Sequence, residues 1–560
     1  MQTTRFLTAA ILMIITSLMS CDKKTEISEE RNFSDVIIYG GTSAGISSAI
    51  QSARSGMSVI LIEPSNRLGG LTTGGLGQTD IGNKQVIGGI AREFYQNIKK
   101  YYQDSANWVW QKKSEYQDGG QTRSHENEDA MWTFEPSAAI KVYNKMIKEL
   151  DIQIVYNQRL NRSTGVSITN KTIKFITMES GDVYYGKMFI DATYEGDLLA
   201  ASGVSYTVGR ESNSQYGESL NGVQANDTSF QLTGNLSVNA RNHNLVKGVD
   251  PYIVPGDSSS GLLPGINQTV ETDGSGDNKV QAYCFRMCLT DHPDNRIPFA
   301  KPDDYNELEY ELLFRNYEAG YNNIPWINSN MPNKKTDSNN RNGLSTDFIG
   351  RNYCYPEATY KERERIIQRH RSYQQGLMWT LANHTRIPVK IRNEVSRWGT
   401  CKDEFDREDG WQHQLYIREA RRMVSDLVMT QKHCEGIEVV SDAIGMAAYG
   451  MDSHHTQRYI TSEGFVSNEG NVEAHVKAPY PISYRSLIPK AEECSNLLVP
   501  ICLSATHIAF GSIRMEPVFM VLGQSAAVIA YLAINNGVEV QDIAYSELRN
   551  ELIKLGQILE

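Results

Sequence analysis

Cysteine, long basic runs and metal-ligand spacings are what this 560-residue sequence has least of. Its eight cysteines include no CxxC pair; with Cys21 set aside, Cys284, Cys288, Cys354, Cys401, Cys434, Cys494 and Cys502 are scattered and odd in number. That pattern argues against a disulfide scaffold and against zinc, and predicts buried thiols. His454 and His455 are adjacent rather than spaced along a helix face, and no carboxylate-histidine motif accompanies them, so no metal is expected. With 55 Lys and Arg against 66 Asp and Glu, the formal charge is −11, and no basic run reverses that sign locally. Nucleic acid is therefore not an expected partner. No internal repeat occurs, and beyond the N-terminus no apolar run reads as long enough to span a bilayer. What is present is 40% hydrophobic residues and 44 glycines in a chain long enough for several units, which implies large packed cores joined by many turns.

The N-terminus reads as an address. Arg5 precedes an apolar stretch from Phe6 to Met19, shorter than the roughly 20 residues a membrane span needs, and so residues 1–20 are expected to be a signal peptide. Leu18-Met19-Ser20-Cys21 resembles a bacterial lipobox, which predicts lipidation at Cys21, a hydrophilic tether over residues 21–34 and a membrane-anchored protein of the cell envelope.

Asp35–Tyr39 and Ser58–Ile62 are short apolar, β-branched runs flanking a small-residue helical stretch that stops near Gly56. The turn after the first run is Gly40-Gly41-Thr42-Ser43-Ala44-Gly45, with Gly40 and Gly45 at the first and third positions of G-x-G-x-x-G and Thr42 at the second. Such a βαβ unit brings main-chain N–H groups at a helix N-terminus up to a diphosphate, and an acid at the tip of the second strand receives ribose hydroxyls. Glu63 follows Gly45 by 18 residues and suits that role, with Pro64 beside it. Thr42 departs from the pattern: its Cβ narrows the approach to the diphosphate, while its hydroxyl is able to donate a hydrogen bond to it in return. Arg67, Gly69, Gly70 and Thr73 then match an R-x-G-G-x-x-[ST] element found after the second strand in many FAD-dependent oxidoreductases. Outside the cytoplasm, a tightly held FAD is also better retained than an exchanging nicotinamide.

Longer segments carry a more specific likeness: GGTSAG from Gly40, RLGGLTTGGLG from Arg67, FIDATYEGDLLA from Phe189, QAYCFRMCLT from Gln281, LYIREARRMVSD from Leu415 and RMEPVFMVLGQSAA from Arg514. On these the sequence resembles a bacterial FAD-dependent oxidoreductase family of secreted or lipid-anchored proteins, some of which carry a xanthan-lyase label. The resemblance implies FAD as cofactor and an α/β fold. A glutathione-reductase-like, Rossmann-type FAD domain would occupy residues 35–200 and 480–540, with a large inserted α+β substrate domain over 201–479 and a C-terminal helix over 541–560. Leu160 lies where such folds cover the adenine, Ala192 and Asp197 lie near the phosphates or ribitol, and Gly523 and Gln524 lie in a long C-terminal helix whose N-terminus is aimed at the flavin. Asp197 reads equally well as a helix cap, and Asp191 as a turn stabiliser.

Within the inserted part, Tyr360–Leu381 and Gln414–Gln431 read as helices and Asn333–Gly343 as an exposed polar loop. His507, just ahead of the C-terminal helix, is the first candidate for a catalytic base, with Arg514 and Glu516 as orienting groups. Arg418 and Arg422 are candidates for binding an anionic substrate, or for ordinary ion pairs with nearby acids. Three functions stay open: an envelope oxidoreductase taking hydride from a small hydroxylated or amino-bearing substrate and passing electrons to an unidentified acceptor; a redox-neutral flavin lyase or isomerase; and a glycan-binding lipoprotein with a vestigial nucleotide fold.

Overall fold

The computed structural model describes residues 32–119, 127–225, 243–405 and 407–560. The signal peptide, Cys21 and most of the tether lie outside the described residues. Strand β1 (Phe33–Tyr39), helix α1 (Ser43–Arg54) and strand β2 (Val59–Glu63) form the expected βαβ unit. Helices α2 (Gly70–Gly74), α3 (Gly89–Tyr101) and α4 (Pro136–Lys148) precede β3 (Ile152–Tyr156), β4 (Val166–Thr169), β5 (Thr172–Thr177) and β6 (Val183–Asp191). Strands β3-β2-β1-β6 lie side by side in parallel, and β5 and β4 add an antiparallel hairpin beside the start of β6. The continuous apolar runs of β1 and β2 are buried because both faces of a parallel sheet are covered.

After α5 (Asp197–Ala201) the chain leaves this sheet. The excursion contains β7 (Met287–Thr290), β8 (Arg296–Pro298), β9 (Trp326–Met331), β10 (Lys335–Asn340), α6 (Tyr360–Asn383) and β11 (Gly399–Cys401). Its strands form an antiparallel sheet ordered β8-β11-β7-β10-β9. The chain returns at β12 (Leu497–Leu498), parallel to the end of β6, and finishes with α7 (His507–Ile513), α8 (Glu516–Asn536) and α9 (Tyr545–Lys554). Helix α8 packs on α1, with Ser48 donating its hydroxyl to the Gly523 carbonyl at 2.8 Å.

Three segments depart from the sequence reading. The stretch 333–343 is no exposed loop: left-handed Asn333 and Lys334 turn a hairpin, and β10 buries Lys335, Thr336, Asp337 and Ser338. Burial of these polar groups is tolerated because each charge meets its opposite; Lys335 Nζ lies 2.7 Å from both Glu135 and Glu404. The stretch 414–430 is irregular rather than helical, with Arg422–Met423 as strand, paired to Tyr206–Thr207, and a short helix starts only at Gln431. Its arginines are drawn in different directions, Arg418 to Asp347, Arg421 to Asp197 and Arg422 to Glu211, which a single helical face does not allow. Finally, α8 is long and apolar enough to cross a membrane, with a mean hydropathy of 1.9, contrary to the expectation that no later run would be. It is nevertheless a core helix, since 89% of that window is buried inside the protein.

Candidate functional site

The cradle begins where β1 ends. Gly40 turns the chain at φ +106°, and a Cβ there would lie 2.7 Å from the Ala192 carbonyl. Gly45 sits in the first turn of α1, where a Cβ would meet the Gly40 carbonyl oxygen at 1.8 Å. Both glycines are therefore required by close backbone approach. Thr42 caps α1: its hydroxyl accepts from the Gly45 N–H at 3.3 Å and donates to the Ala192 carbonyl at 2.7 Å. Its one proton is thus committed to Ala192, which corrects the expectation that it is able to donate to a diphosphate. The N–H groups of Ser43 and Ala44, in the first turn and without an intrahelical acceptor, point the positive end of α1 at any anion placed there.

Glu63 closes β2 and is buried, accepting from the Gly41 N–H at 2.7 Å and the Ser65 N–H at 2.6 Å. Burial raises its pKa against the pull of those donors. Gly69, at φ +97°, donates to the Gly41 carbonyl at 2.6 Å and ties the second glycine pair to the first turn. Arg67 folds back onto the Thr73 carbonyl, with Nε at 3.1 Å and Nη2 at 2.8 Å, while Thr73 donates its hydroxyl to the Leu68 carbonyl.

These residues wall an open cleft at the carboxyl ends of β1 and β2, where open α/β sheets bind ligands. Gly40, Thr42, Glu63, Pro64, Arg67 and Gly70 line it directly, whereas Gly41, Ser43, Ala44, Gly45, Gly69, Thr73 and Ala192 do not. Phe285, residues 411–415 and one face of α6 close the opposite side. That face carries Arg363, Ile367 and Arg371 at four-residue spacing, but Arg363 is taken up by Asp197 and Arg371 by Asp409; Arg159 and Arg407 supply two further guanidinium groups. The sequence reading missed these arginines. A glycine cradle at a helix N-terminus, a carboxylate at the tip of β2 and arginines opposite fit the diphosphate and ribose of FAD.

Other candidates lie elsewhere. Leu160 is buried, its N–H held by the Tyr39 hydroxyl at 3.0 Å, and Arg159 rather than Leu160 reaches the cleft. Asp197 lines the cleft but makes no helix cap; Arg363 bonds it at 2.6 and 2.9 Å, and Arg421 and Arg162 reach it at 2.9 and 3.2 Å. Asp191 is the group that holds the first turn of α5, accepting from the Leu199 N–H at 2.8 Å, and burial pushes its pKa up to about 6. Gly523 and Gln524 sit between helices: a Cβ at Gly523 would lie 2.3 Å from the Ala44 carbonyl, and Gln524 bonds Gln51 at 3.0 Å and the Ile90 N–H at 2.8 Å. Glu516 is a buried brace that accepts from Thr72 at 2.6 Å and Tyr194 at 2.7 Å. Both ring nitrogens of His507 are engaged, Nδ1 with Glu419 at 2.8 Å and Nε2 with Ser453 at 2.9 Å, away from the cleft lining. Arg418 and Arg422 are buried in ion pairs, Arg418 with Asp347 and Arg422 with Glu211 and Glu419, so neither offers a surface to an anionic substrate. Arg514 donates to the Tyr416 hydroxyl at 2.5 Å and lies 3.2 Å from Asp452.

Asp197 has a testable electrostatic role. Desolvation pushes its pKa up, but Arg363, Arg162 and Arg421 outweigh burial and hold the carboxyl below its ordinary value. A depressed folded-state pKa gives stability that is present above the unfolded pKa of about 3.9 and lost as pH falls through the folded value. Asp197→Asn is therefore expected to lower stability by about 3–5 kcal/mol at neutral pH, because it strands buried guanidinium groups. In urea titrations, the gap from the native chain should narrow as pH drops below about 4.

No curated protein matches the chain. Among solved structures it is similar to T. acidophilum thioredoxin reductase at 19% identity, covering 33% of this chain and 40% of that one with a TM-score of 0.18. It is similar to THI4 of Thermovibrio ammonificans at 14% identity, covering 36% and 74% with a TM-score of 0.23. A flavin monooxygenase from Stenotrophomonas maltophilia is 14% identical over 32% and 42% of the two chains, with a TM-score of 0.19. The chain spans about a third of the length of several other solved structures it matches. The profile of the family described as FAD dependent oxidoreductase matches residues 35–552, so the chain belongs to that family and uses FAD as its cofactor.

Proposed function

We propose that this oxidoreductase takes a hydride from a small hydroxylated or amino-bearing molecule, with carbohydrates as one candidate class, and delivers the electrons to a separate acceptor in the cell envelope. The observation that carries the reading is the cleft itself, which pairs a glycine cradle with the guanidinium groups of Arg159 and Arg407. When bound, FAD supplies a two-electron acceptor. The chain's own groups hold it: the Ser43 and Ala44 N–H groups meet the diphosphate, Glu63 receives ribose hydroxyls, and Arg159 and Arg407 offset phosphate charge. Phe285 and Trp411 give part of the cleft an apolar lining. The envelope location rests on Arg5, the apolar run to Met19 and the lipobox-like Leu18–Cys21.

The test is to purify the mature chain and mix it, without oxygen, with neutral sugars, polyols, sugar acids and amines. Yellow protein that bleaches with one of them supports the reading. Turnover without bleaching would favour redox-neutral chemistry, and colourless protein that takes up no FAD would overturn the proposal.

A further inference from the structure

Two buried polar groups bordering the cleft have no partner in the folded chain. They lie in the segment 411–415, which closes the cleft opposite the cradle together with Phe285. This segment is held against the glycine-rich loop that runs on from Gly70: the Gln414 N–H donates to the Gly74 carbonyl at 3.1 Å, and a Cβ on Gly74 would lie 2.4 Å from Gln414 Cβ. Trp411 is 2% exposed and Gln412 is fully buried, yet both border the cleft. Among the described residues, nothing hydrogen-bonds Trp411 Nε1 or Gln412 Oε1.

Both side chains are fixed in place. Gln412 Nε2 donates to the Cys288 carbonyl at 3.4 Å, and turning the amide over would set Oε1 against that carbonyl, oxygen to oxygen. The Trp411 indole packs edge-on against Phe285, with ring centroids 5.7 Å apart, and its main-chain N–H donates to Asp409 Oδ1 at 3.2 Å. A buried donor or acceptor left unpaired carries the full cost of leaving water, and folded chains keep few of them. Two in consecutive residues, both bordering one cleft, call for a ligand that supplies the missing partners.

The chemistry of that ligand follows from the pair. An indole N–H only donates, and an amide oxygen only accepts. A phosphate or carboxylate would satisfy the indole and leave the amide oxygen unpaired or repelled. The complementary group is neutral and offers a donor beside an acceptor.

FAD carries such an edge, because the pyrimidine part of its ring system presents N3–H between two carbonyls. We propose that Trp411 and Gln412 bind this edge, with Gln412 Oε1 accepting from N3–H and Trp411 Nε1–H donating to a neighbouring ring carbonyl. The flavin ring then belongs to the end of the cleft formed by 411–415, while the cradle holds the diphosphate. The assignment rests on FAD lying in this cleft, as proposed above, and is independent of what supplies the hydride. No covalent bond changes; the pair sets the affinity and orientation of the ring.

The experiment compares FAD with 3-methyl-FAD, in which a methyl group replaces the N3 hydrogen. Each is titrated into the flavin-free chain and followed by flavin absorbance and fluorescence. The native chain should bind 3-methyl-FAD about ten-fold more weakly than FAD, the worth of one hydrogen bond. Gln412→Leu should bind FAD about ten-fold more weakly than the native chain does, and should bind the two flavins within about two-fold of each other, because the methyl group then deprives no acceptor. Trp411→Phe should weaken FAD binding about ten-fold and keep the native preference for FAD over 3-methyl-FAD. General damage to the fold weakens both flavins alike, so it does not erase that preference. Equal binding of the two flavins by the native chain, or an undiminished preference in Gln412→Leu, would overturn the Gln412 assignment. Native FAD affinity in Trp411→Phe would overturn that of Trp411. Native FAD affinity in both variants with a raised KM would give the pair to the substrate and overturn the proposal. A native chain that takes up neither flavin would overturn the reading of the cleft itself, whereas uptake of both without preference removes the N3–H contact alone.

Discussion

Gly45→Ala is expected to purify largely colourless. The added methyl carbon would sit 1.8 Å from the Gly40 carbonyl oxygen, a backbone atom that cannot rotate away. Relief requires α1 to move off the end of β1, and that motion carries the Ser43 and Ala44 N–H groups away from the diphosphate. Overpacking of this kind costs about 1–3 kcal/mol, so flavin affinity should fall about ten- to hundred-fold even where the chain still folds. Flavin absorbance per chain and a titration of added FAD measure the loss. Gly56→Ala is the matched control: Gly56 has φ +79°, but no described atom lies within 4 Å of the position its Cβ would take, so the change should cost about 1 kcal/mol of stability and leave flavin affinity unchanged. Native affinity in Gly45→Ala would show that FAD does not sit on this cradle.

Asp337→Ala should be among the most destabilising single changes in the inserted part, lowering folding stability by about 3–5 kcal/mol. Asp337 is buried and accepts four hydrogen bonds: Arg286 Nε at 2.8 Å and Nη2 at 3.0 Å, the Gly77 N–H at 2.7 Å and the Gln78 N–H at 2.8 Å. Removing it leaves a buried guanidinium with Asp80 as its remaining carboxylate partner and strips two loop amides of their acceptor. Those amides belong to the loop that runs on from Gly70 at the cleft, so flavin retention should suffer along with stability. Asp337→Asn keeps the shape and one acceptor oxygen and should cost less than alanine. Urea unfolding monitored by flavin release and by tryptophan fluorescence would separate the two effects, and equal stability of Asp337→Ala and the native chain would contradict this account.

Cysteine behaves as its scatter suggested: Cys284, Cys288, Cys401, Cys434, Cys494 and Cys502 are buried thiols, and Cys354 is exposed. The cross-strand neighbours Cys288 and Cys401 lie with their sulfurs 3.9 Å apart inside the antiparallel sheet. Their burial raises the pKa of Cys288, which disfavours the reactive thiolate.

The βαβ unit, the glycine turn and Glu63 were legible in the residues alone, because strand hydrophobicity, left-handed glycine and the spacing to the second strand act within some thirty positions of one another. The same holds for α6 and α8, whose long helical patterns outlast local ambiguity. Buried β10 and the non-helical path of 414–430 were not legible, because each depends on a charge meeting a partner far away in sequence. Asp337 holds Gly77 across 260 residues, and Arg421 reaches Asp197 across 224. Local periodicity records which side chains prefer water; it carries no record of a distant carboxylate that makes burying an arginine or lysine tolerable. Short-range sterics and hydrophobic pattern thus specified the glycine turn and the strand that carries Glu63, while long-range ion pairing, formed only in the folded chain, decided which charged side chains are buried around them.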